Sequence, residues 1–171
     1  LKRQYLNIKE EIDGSIKNII ENCSFIRGSE VNQFEESFAQ MHSIENCISC
    51  ANGTDAIYIA LKSLNIKPGD EVIVPAHSWI STSEVVTDAG GKVIFVDTEL
   101  DSFLIDTSKI EEKITKNTVG IICVHLYGNV CDLGELLRIR NKYNLWLIED
   151  CAQAHFSMYQ GQYVGTFGDI G

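Results

Sequence analysis

The sequence predicts an α/β protein, a three-layer α/β/α arrangement around a mainly parallel sheet. Three observations carry that prediction. From residue 46 onward, short runs rich in Ile and Val alternate with helical stretches. The runs are continuously apolar, so both faces of each strand need covering, as in a parallel sheet flanked by helices. Two prolines in 171 residues, and no Ser- or Gly-rich tract, leave no place for an internal linker.

The elements follow in chain order. Ile8, Ile12, Ile16, Ile19 and Ile20 recur at helical spacing among acids and lysines, predicting an amphipathic helix that ends near Cys23. Ser24–Gly28 breaks the pattern. Val31, Phe34, Phe38 and Met41 predict a second helix, with Glu30, Glu35 and Glu36 near its start, where the macrodipole favours acids. Strands are then predicted at Asn46–Cys50, Glu71–Pro75, Lys92–Val96, Val119–Val124 and Leu145–Glu149. Helices between and after them are predicted at Thr54–Leu64, Ile80–Ala89, Thr107–Ile114 and Leu133–Tyr143. This divides the chain into a helical segment, 1–45, and an α/β region, 46–171.

Composition excludes several classes. The formal net charge is −10, from 24 acids against 14 bases. A nucleic-acid partner is therefore not expected, because phosphate neutralisation needs clustered Lys and Arg. No apolar stretch approaches the ~18 residues of a membrane span, so no membrane partner is expected. The first residues lack the apolar core of a signal peptide.

Six cysteines stand at 23, 47, 50, 123, 131 and 151. Those in CISCA, IICVHL and LIEDCAQ lie in or beside apolar runs, where free Cys acts as a small buried hydrophobe. This predicts a reduced, cytoplasmic protein. Cys47 and Cys50 also have CxxC spacing. A redox CxxC opens a helix, and a zinc site wants a second pair, and neither condition is met here. No metal site is predicted.

In parallel α/β sheets, ligands gather at the carboxyl ends of the strands. Three strand exits carry the chemistry. Asn52-Gly53-Thr54-Asp55 leads into a helix, where free N–H groups and the Thr54 hydroxyl suit a phosphate. Thr54 or Asp55 acting only as a helix cap is the weightier reading of that string by itself. Neither GxGxxG nor GxxxxGK[ST] occurs, so a dinucleotide loop and an NTPase P-loop are both unsupported. The second exit holds Trp79, which can stack on a flat ligand or simply fill core. The third delivers Glu149, Asp150, Gln153 and His155 beyond an apolar strand. A carboxylate there can keep a ligand nitrogen protonated, or it can cap a loop. A phosphate at Gly53–Thr54, a ring under Trp79 and a basic ring nitrogen at Asp150 together describe pyridoxal 5′-phosphate.

The same residues resemble the DegT/DnrJ/StrS family of pyridoxal-phosphate-dependent nucleotide-sugar aminotransferases. The likeness spans the chain: FIRGSEVNQFEESFA, CISCANGTDAIYIALKSLNIKPGDEVIVPAHSWISTSEVV, GGKVIFVDT, HLYGNVCDL, LIEDCAQAH and YVGTFGDIG. NGTDA, PGDEVIVP and EDCAQAH in this order and spacing are the most specific. The resemblance implies that 46–171 is the incomplete, N-terminal part of the large domain of a fold-type-I transferase. By the same resemblance, Gly53, Thr54 and Asp55 hold the cofactor phosphate. Trp79 takes the place of the ring-stacking aromatic, Asp150 pairs with the pyridine nitrogen, and Gln153 hydrogen-bonds the phenolic oxygen. His155 matches a frequent neighbour and is given no role.

The resemblance further implies an amino-acid donor, glutamate, and a nucleotide-sugar acceptor. It implies a homodimer whose partner completes the phosphate pocket, and a place in cell-surface polysaccharide or amino-sugar biosynthesis. The family's Schiff-base lysine falls about eight residues beyond Gly171 by the motif's usual spacing, so no catalytic residue is expected in this chain. These 171 residues are then expected to be part of a longer protein, inactive alone, with apolar sheet surface left uncovered. Two other readings stand beside it: a dehydratase of the same family, which carries His in place of that lysine, and a non-catalytic truncated chain.

Overall fold

Strands buried on both faces organise residues 50–171. In the computed structural model, which describes residues 1–171, this region and residues 1–49 form two separate compact units.

In the second unit, four parallel strands form one sheet. They are β1 (Glu71–Pro75), β2 (Lys92–Val96), β3 (Thr118–Val124) and β4 (Trp146–Asp150), in the order β2-β1-β3-β4. Val72, Val74, Ile122 and Ile148 point to one face, and Ile73, Ile121, Cys123 and Leu147 to the other. Both sets are buried, which is why the strands read as unbroken apolar runs. The first face packs against α4 (Gly53–Ser63), through Ile57, Ala60 and Leu61, and against α5 (Ser81–Asp88), through Val85 and Val86. The second packs against α6 (Leu133–Tyr143), through Leu133, Leu136 and Ile139. These are i, i+3, i+4 and related spacings that give each helix one apolar stripe. The predicted three-layer α/β/α arrangement with a parallel sheet is present.

The first unit holds α1 (Lys2–Asn7), α2 (Lys9–Glu21) and α3 (Ser29–His42). The helix predicted from the Ile spacing is α2; the short α1 before it was not predicted and is set off at Ile8, whose φ of −121° is not helical. Cys23 and Arg27 take left-handed backbone conformations in the connection, and Gly28 precedes α3 in extended conformation.

Other predictions are corrected. Asn46–Cys50 is not a strand: these residues pair with no strand of the sheet. Apolar, β-branched composition makes a strand only where a neighbour supplies the ladder, and none of these residues has one. Cys50 is accordingly exposed and Cys47 only half-buried, whereas Cys123 and Cys131 are buried. Thr107–Ile114 is two short 3₁₀ turns, Thr107–Lys109 and Glu111–Lys113, not an α-helix. Asp106 accepts hydrogen bonds from the Ser108 N–H and hydroxyl, which favours a tight turn over helix propagation. A two-stranded hairpin, β5 (Met158–Tyr159) with β6 (Gln162–Tyr163), was not expected from the sequence. The last strand of the parallel sheet is Trp146–Asp150, one residue later than predicted, so Asp150 is its final residue.

Candidate active site

The strand order reverses at β1. The chain moves outward from β1 to β2, then returns to the other side of β1 for β3 and β4. Ligand crevices open at such switch points, outside the carboxyl ends of the strands. A cleft of about 440 Å³ lies there. Its walls come from the start of α4, the β1 exit, the β3 exit and the β4 exit.

Five of the six predicted binding residues line it: Gly53, Thr54, Trp79, Asp150 and Gln153. Asp55 does not. The cap of α4 is Asn52, whose side-chain oxygen accepts the Asp55 N–H at 2.9 Å while its amide donates to the Asp55 carboxylate at 3.0 Å. Neither Thr54 nor Asp55 is therefore the cap, and Asp55 is committed to Asn52. The N–H groups of Gly53 and Thr54, in the first turn of α4, have no intrahelical acceptor and sit at the positive end of the helix dipole. Thr54 Oγ1 lies 2.7 Å from Ser81 Oγ, so the first residue of α5 brings a second hydroxyl to the same corner. No Lys or Arg lines the cleft. The donors available to an anion there are helix N–H groups and hydroxyls.

Trp79 is 77% exposed within these residues and lines the cleft. At the far side, Asp150 ends β4. One of its carboxylate oxygens accepts the Ala152 N–H at 3.0 Å, and its backbone carbonyl accepts the His125 N–H at 3.0 Å. Gln153 Oε1 accepts the Tyr127 N–H at 2.8 Å. That bond settles which end of the amide is which: the oxygen is occupied, and the NH₂ is the donor left for a ligand. Tyr127 makes the contact from a left-handed backbone, φ 59°. His155 is exposed and outside the cleft.

Sequence reasoning passed over several lining residues. His77, Ser78, Ser81 and Thr82 all belong to PAHSWIST, and Leu126 and Tyr127 belong to HLYG. Ser78 Oγ and Thr82 Oγ1 are 2.9 Å apart, and His77 Nε2 reaches Tyr127 Oη at 3.4 Å. The signal was present in the polar run directly after a strand exit, where most side chains reach the crevice.

Glu149 points the opposite way from Asp150, as neighbours on a strand must. It is 1% exposed. Its oxygens accept N–H groups from Gly165 (2.9 Å), Phe167 (2.7 Å) and Gly168 (2.6 Å), and His125 Nε2 lies at 3.2 Å. Burial alone would push this carboxyl up, but His125 and the three backbone donors more than reverse it and hold the group below its ordinary value. His125 Nδ1 accepts the Cys131 N–H at 3.1 Å, so the ring is the neutral tautomer that donates from Nε2 to Glu149. Cys151 stands close to this pair, and burial pushes its thiol well up. A protonated thiol and a carboxylate already saturated by donors make a poor metal site.

Comparison with known proteins identifies the family and the fold. Residues 6–171 match the DegT/DnrJ/EryC1/StrS aminotransferase family. The chain is 40% identical over 169 residues to dTDP-3-amino-3,6-dideoxy-alpha-D-galactopyranose transaminase of Aneurinibacillus thermoaerophilus, covering 99% of this chain and 47% of that protein. It is 42% identical over 144 residues to GDP-perosamine synthase of Escherichia coli O157:H7, covering 84% and 40%. The chain thus spans somewhat under half the length of these relatives. Among solved structures, S. venezuelae DesV superposes with a TM-score of 0.93 at 33% identity, covering 96% of this chain and 44% of that one. NtdA of Bacillus subtilis, solved with bound cofactor PMP, gives 0.87 at 36%, covering 95% and 37%. GDP-4-keto-6-deoxymannose-3-dehydratase gives 0.86 at 28%, covering 91% and 42%. With its sheet, its cleft and its match over residues 6–171, the chain belongs to the DegT/DnrJ/EryC1/StrS aminotransferase family.

Proposed function

We propose that the cleft holds pyridoxal 5′-phosphate, and that the longer protein to which these residues belong transfers an amino group to a keto group of a nucleotide-linked sugar. The observation that carries this reading is the cleft itself. Free helix N–H groups and hydroxyls stand at one side, an exposed indole forms the wall, and a half-buried carboxylate stands at the other side. That donor set fits the cofactor: Gly53, Thr54 and Ser81 suit its phosphate, Trp79 its ring face, and Asp150 its ring nitrogen. When bound, pyridoxal phosphate supplies an electron sink for the bonds at an amino-bearing carbon.

The chain's own residues then have defined tasks. The first turn of α4 binds an anion through N–H groups that need no charge of their own. Asp150 holds a proton on the ring nitrogen facing it, since a nearby negative charge favours the protonated form. The Gln153 NH₂ donates to an oxygen on the ligand, its orientation set by Tyr127. Trp79 excludes water from one ring face. Ten lysines occur in the chain and none lines the cleft. The lysine this chemistry requires is therefore not among them, and residues 1–171 alone are expected to be inactive.

Glutamate as donor, a cytoplasmic location and a homodimer complete the proposal. No cationic side chain of these residues stands at the phosphate corner, so a positive charge there comes from the rest of the protein or from the partner subunit of the proposed dimer. A nucleotide-sugar dehydratase is the second reading, favoured by the likeness to GDP-4-keto-6-deoxymannose-3-dehydratase.

The test is turnover of the complete protein with glutamate, pyridoxal phosphate and nucleotide-linked keto sugars. Formation of an amino sugar together with 2-oxoglutarate is expected, and loss of a sugar hydroxyl without amine transfer would favour the dehydratase. Asp150→Asn is expected to lower turnover by about two orders of magnitude, because the ring nitrogen loses its charge partner. Near wild-type turnover in that variant would remove Asp150 from the site.

A further inference from the structure

We propose that Glu149 is a positioning residue, a buried clamp that sets the segment 165–171 against β4 and so fixes the end of the strand from which Asp150 enters the cleft. It rests on the reading of Asp150 as a cleft residue. It concerns a side chain on the other face of the sheet, which touches no ligand.

The geometry is unusual for a carboxylate. One buried side chain accepts three backbone N–H groups within four residues of sequence, at Gly165, Phe167 and Gly168. Its fourth donor is His125, the residue directly after β3. His125 also gives its own N–H to the Asp150 carbonyl, and its other ring nitrogen receives the Cys131 N–H. Glu149 N–H in turn donates to the Ile170 carbonyl at 2.9 Å, and Ile170 bridges in parallel to Ile148. Three pieces of backbone therefore meet at this one side chain: the end of β3, the end of β4, and the segment that starts a further parallel pairing beside β4.

Why a carboxylate is needed follows from donor counting. All four groups around Glu149 are donors, so the position needs two acceptor oxygens and no hydrogen. A glutamine is nearly the same size but carries one NH₂. Wherever that NH₂ points, it faces at least one N–H or the His125 Nε2–H. Turning His125 to its other tautomer only moves the conflict, since Nδ1–H would then face the Cys131 N–H. Glu149→Gln thus leaves buried donors unpaired. The variant still has a route to the fold. Asp169 holds the same segment separately: its N–H donates to the Leu147 carbonyl at 2.8 Å, and its carboxylate accepts the Leu147 N–H at 2.8 Å and pairs with Arg140.

Gly168 offers an independent way to loosen the clamp without touching the charge. A Cβ at Gly168 would meet the backbone carbonyl of Leu147, which cannot give way. Gly168→Ala therefore pushes the segment off β4 while Glu149 stays ionised.

The experiment uses the complete protein without cofactor, compared as wild type, Glu149→Gln and Gly168→Ala, with amide hydrogen exchange as the first readout. Exchange at Gly165, Phe167 and Gly168 is expected to quicken about tenfold or more in both variants. Amides in β1 and β3 should stay within about twofold of wild type. Pyridoxal phosphate affinity, read by absorbance titration, should fall about tenfold in both variants, in step with the local exchange. Unchanged exchange at 165–168 in Glu149→Gln would overturn the clamp. So would exchange that quickens equally across β1 and β3, because Glu149 would then be a general stability residue. So would local loosening with unchanged cofactor affinity, because the strand end would not depend on it. Failure of the wild-type protein to bind pyridoxal phosphate would defeat the proposed function and leave the exchange result standing.

Discussion

Adjacent residues on β4 have opposite surroundings and opposite tasks. Asp150 is half-buried at a cleft, with only the Ala152 N–H on its carboxylate, and is left able to face a ligand. Glu149 is buried and saturated with donors. Its pH behaviour follows from the direction of its shift. A carboxyl held below its ordinary 4.5 stabilises the fold fully above 4.5, and that contribution is lost as pH falls through the lower, folded-state value. Exchange at Gly165 and Gly168 in the wild type is therefore expected to quicken as pH is lowered through this window, beyond the intrinsic pH trend of amides in β1. In Glu149→Gln the local excess should shrink to what protonation of His125 and of Asp169, which holds the same segment, contributes. An identical local pH response in the variant would assign the effect to another group. At this scale the sequence was partly legible. Asp150 was visible as an acid after an apolar run, whereas Glu149 carried no sign of its partners. Those partners lie 16 to 24 residues away along the chain and meet only in the folded sheet.

Secondary-structure elements were read well where a segment carried its own signal. α6 was predicted with the bounds it has, because Asp132 caps it at Glu135 N–H and its apolar residues recur at one helical spacing. β1 and β2 were likewise delimited correctly. The failures share a cause. Asn46–Cys50 has strand composition but no ladder partner, and Thr107–Ile114 has one buried anchor, Ile110, and a local cap that favours a tight turn. Pairing is a property of two segments, and a single segment does not display it. The β3–β4 pair shows the converse. Gly120 stands opposite Trp146 in the register, and a Cβ at Gly120 would overlap the indole ring. Gly120→Ala is therefore expected to destabilise the protein by about 1–3 kcal/mol, the range for overpacking a filled site. A shift in urea midpoint at constant slope would register it. A variant as stable as wild type would mean that the strands can slide to make room.

At the scale of the whole chain, the sheet is covered unevenly. β1 is buried throughout, but β2 is an edge strand with Phe95 exposed. Ile48, Trp79 and Ile80 are also exposed. Only Phe95 of these lies in the sheet, and β1, β3 and β4 are largely buried on both faces, so the expected uncovered apolar sheet surface is confined to the β2 edge, in a chain that spans somewhat under half the length of its relatives. The net charge of −10 sits beside a cleft that lacks any Lys or Arg. The donors these residues offer an anionic ligand are helix N–H groups and hydroxyls, and any further positive charge would come from outside them. On the proposed reading, this one cleft is a cofactor cradle. Its most direct test is a crystal structure of the complete protein grown with pyridoxal 5′-phosphate. The expected result places the phosphate on the Gly53 and Thr54 N–H groups and the ring nitrogen on the Asp150 carboxylate, with Trp79 against the ring. A cofactor bound elsewhere, or in this cleft with Asp150 turned away from it, would contradict the account.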